Sequence, residues 1–182
     1  MATITTGIIV MFFTMSPAKF SGIDVSESSV PLMTAHLTST AEDKDFVMKA
    51  AEAGLLEIKA AQLALKTSSN AEIKSFAEGM INDHGKANAE LQAIAKTKAM
   101  TPRSTLSSTS EQKLKALSKK QGVEFDKAYA QAMVRDHQEA VELFKTESNS
   151  GKDAELKQWA AEKLPTLEHH LSMARELTNS IQ

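Results

Sequence analysis

From Ala41 onward, apolar residues recur three and four positions apart in four stretches of about 25 residues, separated by polar breaks, the signature of amphipathic helices. The first stretch places Phe46, Ala50, Ala53, Gly54, Ile58, Ala61 and Leu65 on one face. Thr40 and the acidic residues Glu42, Asp43 and Asp45 mark its start, because carboxylates favour the positive end of a helix dipole. Thr67-Ser68-Ser69-Asn70 breaks the pattern, and Asn70 is suited to cap the second helix, which carries Ile73, Phe76, Met80, Ile81, Leu91 and Ile94. Beyond Pro102 the pattern predicts a short helix near 110–120, with Gly122 as a helix stop. Two further long helices are expected over about 124–148 and 153–179. Pro165 falls inside the last one and is expected to kink or restart it.

Four such helices, each roughly 38 Å long, bury their apolar faces most readily as a four-helix bundle. The outer two breaks are short, so the first and second helices, and the third and fourth, should form antiparallel pairs. The middle connection is long enough to run the length of the bundle. The expected fold is therefore all-α: a ferritin-like four-helix bundle over 41–182, with a long middle crossover carrying a short extra helix.

Composition narrows the chemistry. The chain has no cysteine, which excludes disulfides, thiolate metal sites and thiol nucleophiles. Its formal charge of −2 lacks the basic footprint of a nucleic-acid partner. Seven glycines and four prolines against 26 alanines favour helix throughout. The apolar stretch Gly7–Met15 is too short for a stable membrane span but has the length of a signal-peptide core. Ser16-Pro17-Ala18 follows it as a small-x-small cleavage site, although no basic residue precedes the stretch. The expectation is a signal peptide over 1–18, a flexible linker over 19–40, and a periplasmic or exported protein. Without that signal the protein would be cytoplasmic.

Histidines fall where apolar residues belong. His84 lies three, four, seven and eight positions after Ile81, Met80, Ala77 and Phe76, on the buried stripe of the second helix. His137 holds the matching place in the third, and His170 in the fourth, with His169 at its flank. The first helix supplies Glu57 among Ala53, Gly54, Ala60 and Ala61. Each residue stands near the middle of its helix, so the four side chains should meet at one height, whichever way each helix runs. One carboxylate and three imidazoles in a bundle core make a metal site for a single zinc, iron, copper or nickel ion.

The segments Phe76-Ala77-x-x-Met80-x-x-Asp83-His84 and Tyr129-Ala130-x-x-Met133-x-x-Asp136-His137 repeat one pattern. Asp83 and Asp136 are thereby candidates to accept a ring N–H from a ligand histidine, with a surface salt bridge as the alternative. The competing reading is a metal-free structural or interaction module, in which a buried Glu–His network only sets packing. No nucleophile motif or phosphate-binding glycine loop is present, so an enzymatic role is not favoured.

The runs FAEGMINDHGKANAELQAIA, GVEFDKAYAQAMVRDHQEAVELF and LPTLEHHLSMARELT resemble a bacterial family of unknown function in the ferritin-like superfamily. Members are often labelled predicted outer-membrane or exported proteins. The resemblance covers about Glu42 to Ile181 and implies a ferritin-like bundle, export, and recurrent polar positions at Glu57, Asp83, His84, His137 and His170. It implies no activity. Di-iron members of the superfamily use Glu-x-x-His, whereas Ile81, Val134, Thr166 and Leu167 occupy the third position before each helical histidine here. A di-iron site is therefore not expected.

Overall fold

The computed structural model describes residues 39–181. The expected signal peptide, the linker up to residue 38 and His36 lie outside the described residues. Five helices follow in order: α1 (Ala41–Thr67), α2 (Ala71–Thr97), α3 (Ser108–Ser118), α4 (Gly122–Ser150) and α5 (Ala154–Ser180). Local chemistry explains where they begin. Thr40 and Asp43 form a reciprocal capping box on α1, while Asn70, Ser107 and Asp153 accept from the first free N–H groups of α2, α3 and α5. Gly122, at φ 54°, separates α3 from α4 and stands as the first residue of α4, with Gln121 supplying no side-chain cap.

Contacts at the two ends establish the wiring. At one end, Asp43 at the start of α1 accepts from the backbone of Lys152 and Asp153 between α4 and α5. Lys98, just past α2, reaches Asp153 at 2.9 Å there. At the other end, Ser180 of α5 donates to Glu72 of α2 at 2.7 Å. The helices thus run up, down, down and up, and residues 98–121 must travel the length of the bundle. This is the single long crossover of ferritin-like folds. Glu52 of α1 pins the crossover by accepting from Ser107 N (3.0 Å) and Ser110 Oγ (2.7 Å) and by pairing with Arg103 (3.0 Å).

α5 runs uninterrupted through Pro165, so the restart expected at that proline does not occur. Pro165 and Ala161, whose carbonyl loses its usual N–H partner, are both exposed. Water can satisfy that carbonyl, which removes much of the cost of an internal proline.

The buried apolar residues form two clusters. One contains Phe46, Leu91, Phe144, Leu156, Trp159 and Leu167. The other contains Ile73, Phe76, Met80, Phe125, Tyr129 and Leu177. Between them, along every long helix, lies one polar residue: Glu57, His84, His137 or His170. A buried polar layer divides the core at mid-height.

Candidate metal centre

The helical period that turns Met80, Met133 and Leu167 inward turns the residues three or four positions away inward as well. Those residues are His84, His137 and His170, and their ring centroids form a nearly equilateral triangle of 5.3, 5.4 and 5.5 Å. One ring nitrogen from each lies within 4.8 Å of one from each of the others. Exposure is 6%, 0% and 3% for the three residues, so water does not solvate the rings freely.

Each ring has one partnered nitrogen and one buried nitrogen without a partner. His84 Nδ1 lies 3.0 Å from Glu57 Oε2, and its Nε2 is unpartnered. His137 Nδ1 lies 2.8 Å from the carbonyl oxygen of Met133, and its Nε2 is unpartnered. His170 Nε2 lies 3.0 Å from Asp83 Oδ2, and its Nδ1 is unpartnered. Burial lowers the pKa of all three rings, against the opposing pull of Glu57 on His84, of the Met133 carbonyl on His137 and of Asp83 on His170. Neutral rings carry one N–H each. A carbonyl can only accept, so His137 carries its proton on Nδ1, and a carboxylate partner places the proton likewise on His170 Nε2 and, when Glu57 is deprotonated, on His84 Nδ1. The lone pairs then sit on the three unpartnered atoms. Such a group can hold a metal ion.

Glu57, a candidate ligand from its helical position, reaches the partnered edges of two rings: His84 Nδ1, and His137 Nδ1 at 3.4 Å. Burial pushes its carboxyl up to about 7, with the His84 ring pulling the other way and the charge of Asp136 adding to the rise. Asp83 sits where a residue orienting a histidine should. Its counterpart Asp136 does not: it pairs with Lys113 of α3 at 3.0 Å and holds no histidine. His169 is exposed, its ring 6.5 Å from that of His170, and takes no part in the triangle. Sequence reasoning had no means of finding the Met133 carbonyl, since every helical residue has one.

A cavity of about 250 Å³ leads to the layer, with Glu57, Asp83, His84 and His170 among its lining residues. Phe144, Trp159 and Leu167 supply apolar wall, and Lys86, Glu90 and Lys163 are also part of the lining. Glu90 accepts from Trp159 Nε1 at 3.0 Å and pairs with Lys163 at 2.5 Å. A Cβ on Gly54 would stand 2.5 Å from Asn88 Oδ1, so glycine is what allows Asn88 to lie against α1 beside this cavity.

The molecule is thus an all-helical bundle, wired with one long crossover and carrying a buried trihistidine cluster at mid-height. Residues 28–177 match the family described as Domain of unknown function (DUF4142), and the chain belongs to it. Among solved structures it is similar to the crystal structure of a DUF305 fragment from Deinococcus radiodurans, with a TM-score of 0.70 and 16% identity. The match covers 78% of this chain and 98% of that one, and at this identity the likeness is one of fold. No curated protein matches the chain. Among the described residues, no helix is long and apolar enough to cross a membrane.

Proposed function

We propose that this protein binds one transition-metal ion through His84 Nε2, His137 Nε2 and His170 Nδ1, in a structural or sequestering role. One observation carries the reading: each of three neighbouring, buried rings has one nitrogen held by an acceptor and the other without a partner. Three buried unpaired acceptors in one place are costly unless something binds them. In this reading Glu57, the Met133 carbonyl and Asp83 fix the ring tautomers, as the outer partners of metal-bound histidines do. Tetrahedral coordination at about 2.05 Å puts ligand nitrogens about 3.3 Å apart, and one nitrogen from each ring already lies within 4.8 Å of one from each of the others. Imidazole ligands suit zinc, copper, nickel or iron, and none of the Glu-x-x-His pairs of a di-iron centre is present.

Tag-free protein exposed to a mixture of divalent metals should retain about one equivalent by elemental mass spectrometry, and that spectrum names the metal. The His84→Ala/His137→Ala double variant should retain none. At metal a hundredfold above Kd, binding adds about 2.7 kcal/mol to stability, or about 5–10 °C in melting temperature. Absence of metal from both proteins would leave the layer as a packing network and sink this reading. We further propose that the chain is exported, supported by the Gly7–Met15 stretch and the Ser16-Pro17-Ala18 site. N-terminal sequencing of the native protein should then begin at Lys19.

A further inference from the structure

The three histidines account for three positions of a metal ion's shell, and the cavity beside them bears on the fourth. Resting on the metal centre argued above, we propose that the cavity admits a small monocarboxylate with an apolar body, which binds the metal through its carboxylate at that open position. Three observations converge on this occupant. Glu57, the carboxylate nearest the rings, contacts the nitrogen that leaves His84 Nε2 free, so it does not occupy the fourth position. His84 and His170 both line the cavity, so the space reaches two of the three prospective ligands. The lining also offers an apolar wall of Phe144, Trp159 and Leu167 and the cation of Lys86, while Lys163 is paired with Glu90, and Glu57 and Asp83 are engaged by His84 and His170.

Charge and size select the class. A divalent ion on three neutral imidazoles keeps its full double charge, and an anionic fourth ligand offsets it better than a neutral one. A volume of about 250 Å³ lies below the usual range for drug-sized ligands and suits a ring or short chain. The apolar wall then rewards a carbon body over a bare anion. Three protein ligands leave one position of a tetrahedral shell for an exchangeable ligand.

Cobalt(II) serves as the spectroscopic probe, because its visible absorption reports coordination directly. Protein loaded with one cobalt equivalent would be titrated with benzoate and with acetate. Benzoate is expected to change the visible spectrum saturably and to bind at least tenfold more tightly than acetate. Ala87→Phe, which places a ring at a half-buried position of the cavity lining, should keep the cobalt and lose benzoate affinity at least tenfold. Ala53→Leu provides a second, milder obstruction of the same space should the phenylalanine variant fail to fold. A cobalt-loaded protein whose spectrum neither anion changes would overturn this proposal and leave the metal centre standing. Equal affinities for the two anions, or full benzoate binding by the obstructed variants, would overturn it as well. Protein that takes up no cobalt would overturn the metal centre and this proposal together.

Discussion

The bundle buries polar side chains at its end and at its middle, and the two places treat them differently. At the end where α1 begins and α5 starts, Asp43 accepts from Thr40 N, Thr40 Oγ1, Lys152 N and Asp153 N. Burial raises its pKa, but these hydrogen bonds outweigh that and hold the carboxyl below the usual range. Asp153 is likewise filled, by Ser39, Lys98 and the N–H groups of Glu155 and Leu156. At mid-height the three histidines each keep an unpartnered buried nitrogen. A satisfied buried cluster is a joint that holds helices together. One left unpartnered in a patterned way, one nitrogen per ring, is the feature on which the metal-binding proposal rests.

Breaking the joint should have the largest effect on the apoprotein. Asp43→Ala removes the capping box of α1 and strands the N–H groups of Lys152 and Asp153, so a loss of about 3 kcal/mol is expected in urea denaturation. Metal stoichiometry should stay the same, since the joint and the histidine layer sit apart along α1. A variant that lost both would show that the two regions are not independent.

The echoed aspartates sharpen the comparison within the middle layer. Asp83→Asn should weaken metal binding about 10- to 100-fold, because an amide orients the His170 ring less strongly. Asp136→Asn removes its pair with Lys113 and a charge near Glu57 and His137, but no hydrogen bond to a histidine, and should leave metal affinity within about twofold. Competition titration against a chromophoric chelator measures both. Equal losses in the two variants would remove the distinction drawn between them.

The smallest effect concerns the one unfilled group at the joint. Burial raises Glu147 to about 7, and the neighbouring carboxylates Asp43 and Asp153 act in the same direction, while Lys157 opposes. Between about pH 4.5 and 7 the folded chain therefore holds a proton that the unfolded chain has released. Folding stability contributed by this group is present below that window and lost as pH rises through it. Glu147→Gln should flatten the slope and gain on the order of 1 kcal/mol at pH 8, discounted for water at the bundle end. A wild-type stability that rose from pH 5 to pH 8 with the same slope in the variant would contradict this.

How much of this was legible in the sequence follows from what each element depends on. Helix limits at Thr40, Asn70 and Asp153 depend on a side chain three residues or fewer from the N–H it caps, so the local pattern contained them. The inward direction of His84, His137 and His170 depends on 3.6 residues per turn, and was equally readable. The restart allowed for at Pro165 does not occur, because the pattern shows a missing N–H but not that Ala161, whose carbonyl loses its partner, lies at an exposed position. Asp83 and Asp136 sit in matching local sequence, yet one meets a histidine and the other a lysine of α3.

Sequence alone therefore determined the number of helices, the faces they bury and the height at which their polar residues lie. These follow from periodicity along a single chain segment, whose geometry is set by its own backbone. The tertiary structure decided which ring nitrogen is held and which is free, that Glu57 meets the partnered edges of the rings, that the crossover helix captures Asp136, and that a cavity reaches the layer. Those depend on distances and side-chain rotations between helices brought together by a crossover more than 20 residues long, and close packing settles such distances only when all the neighbours are in place.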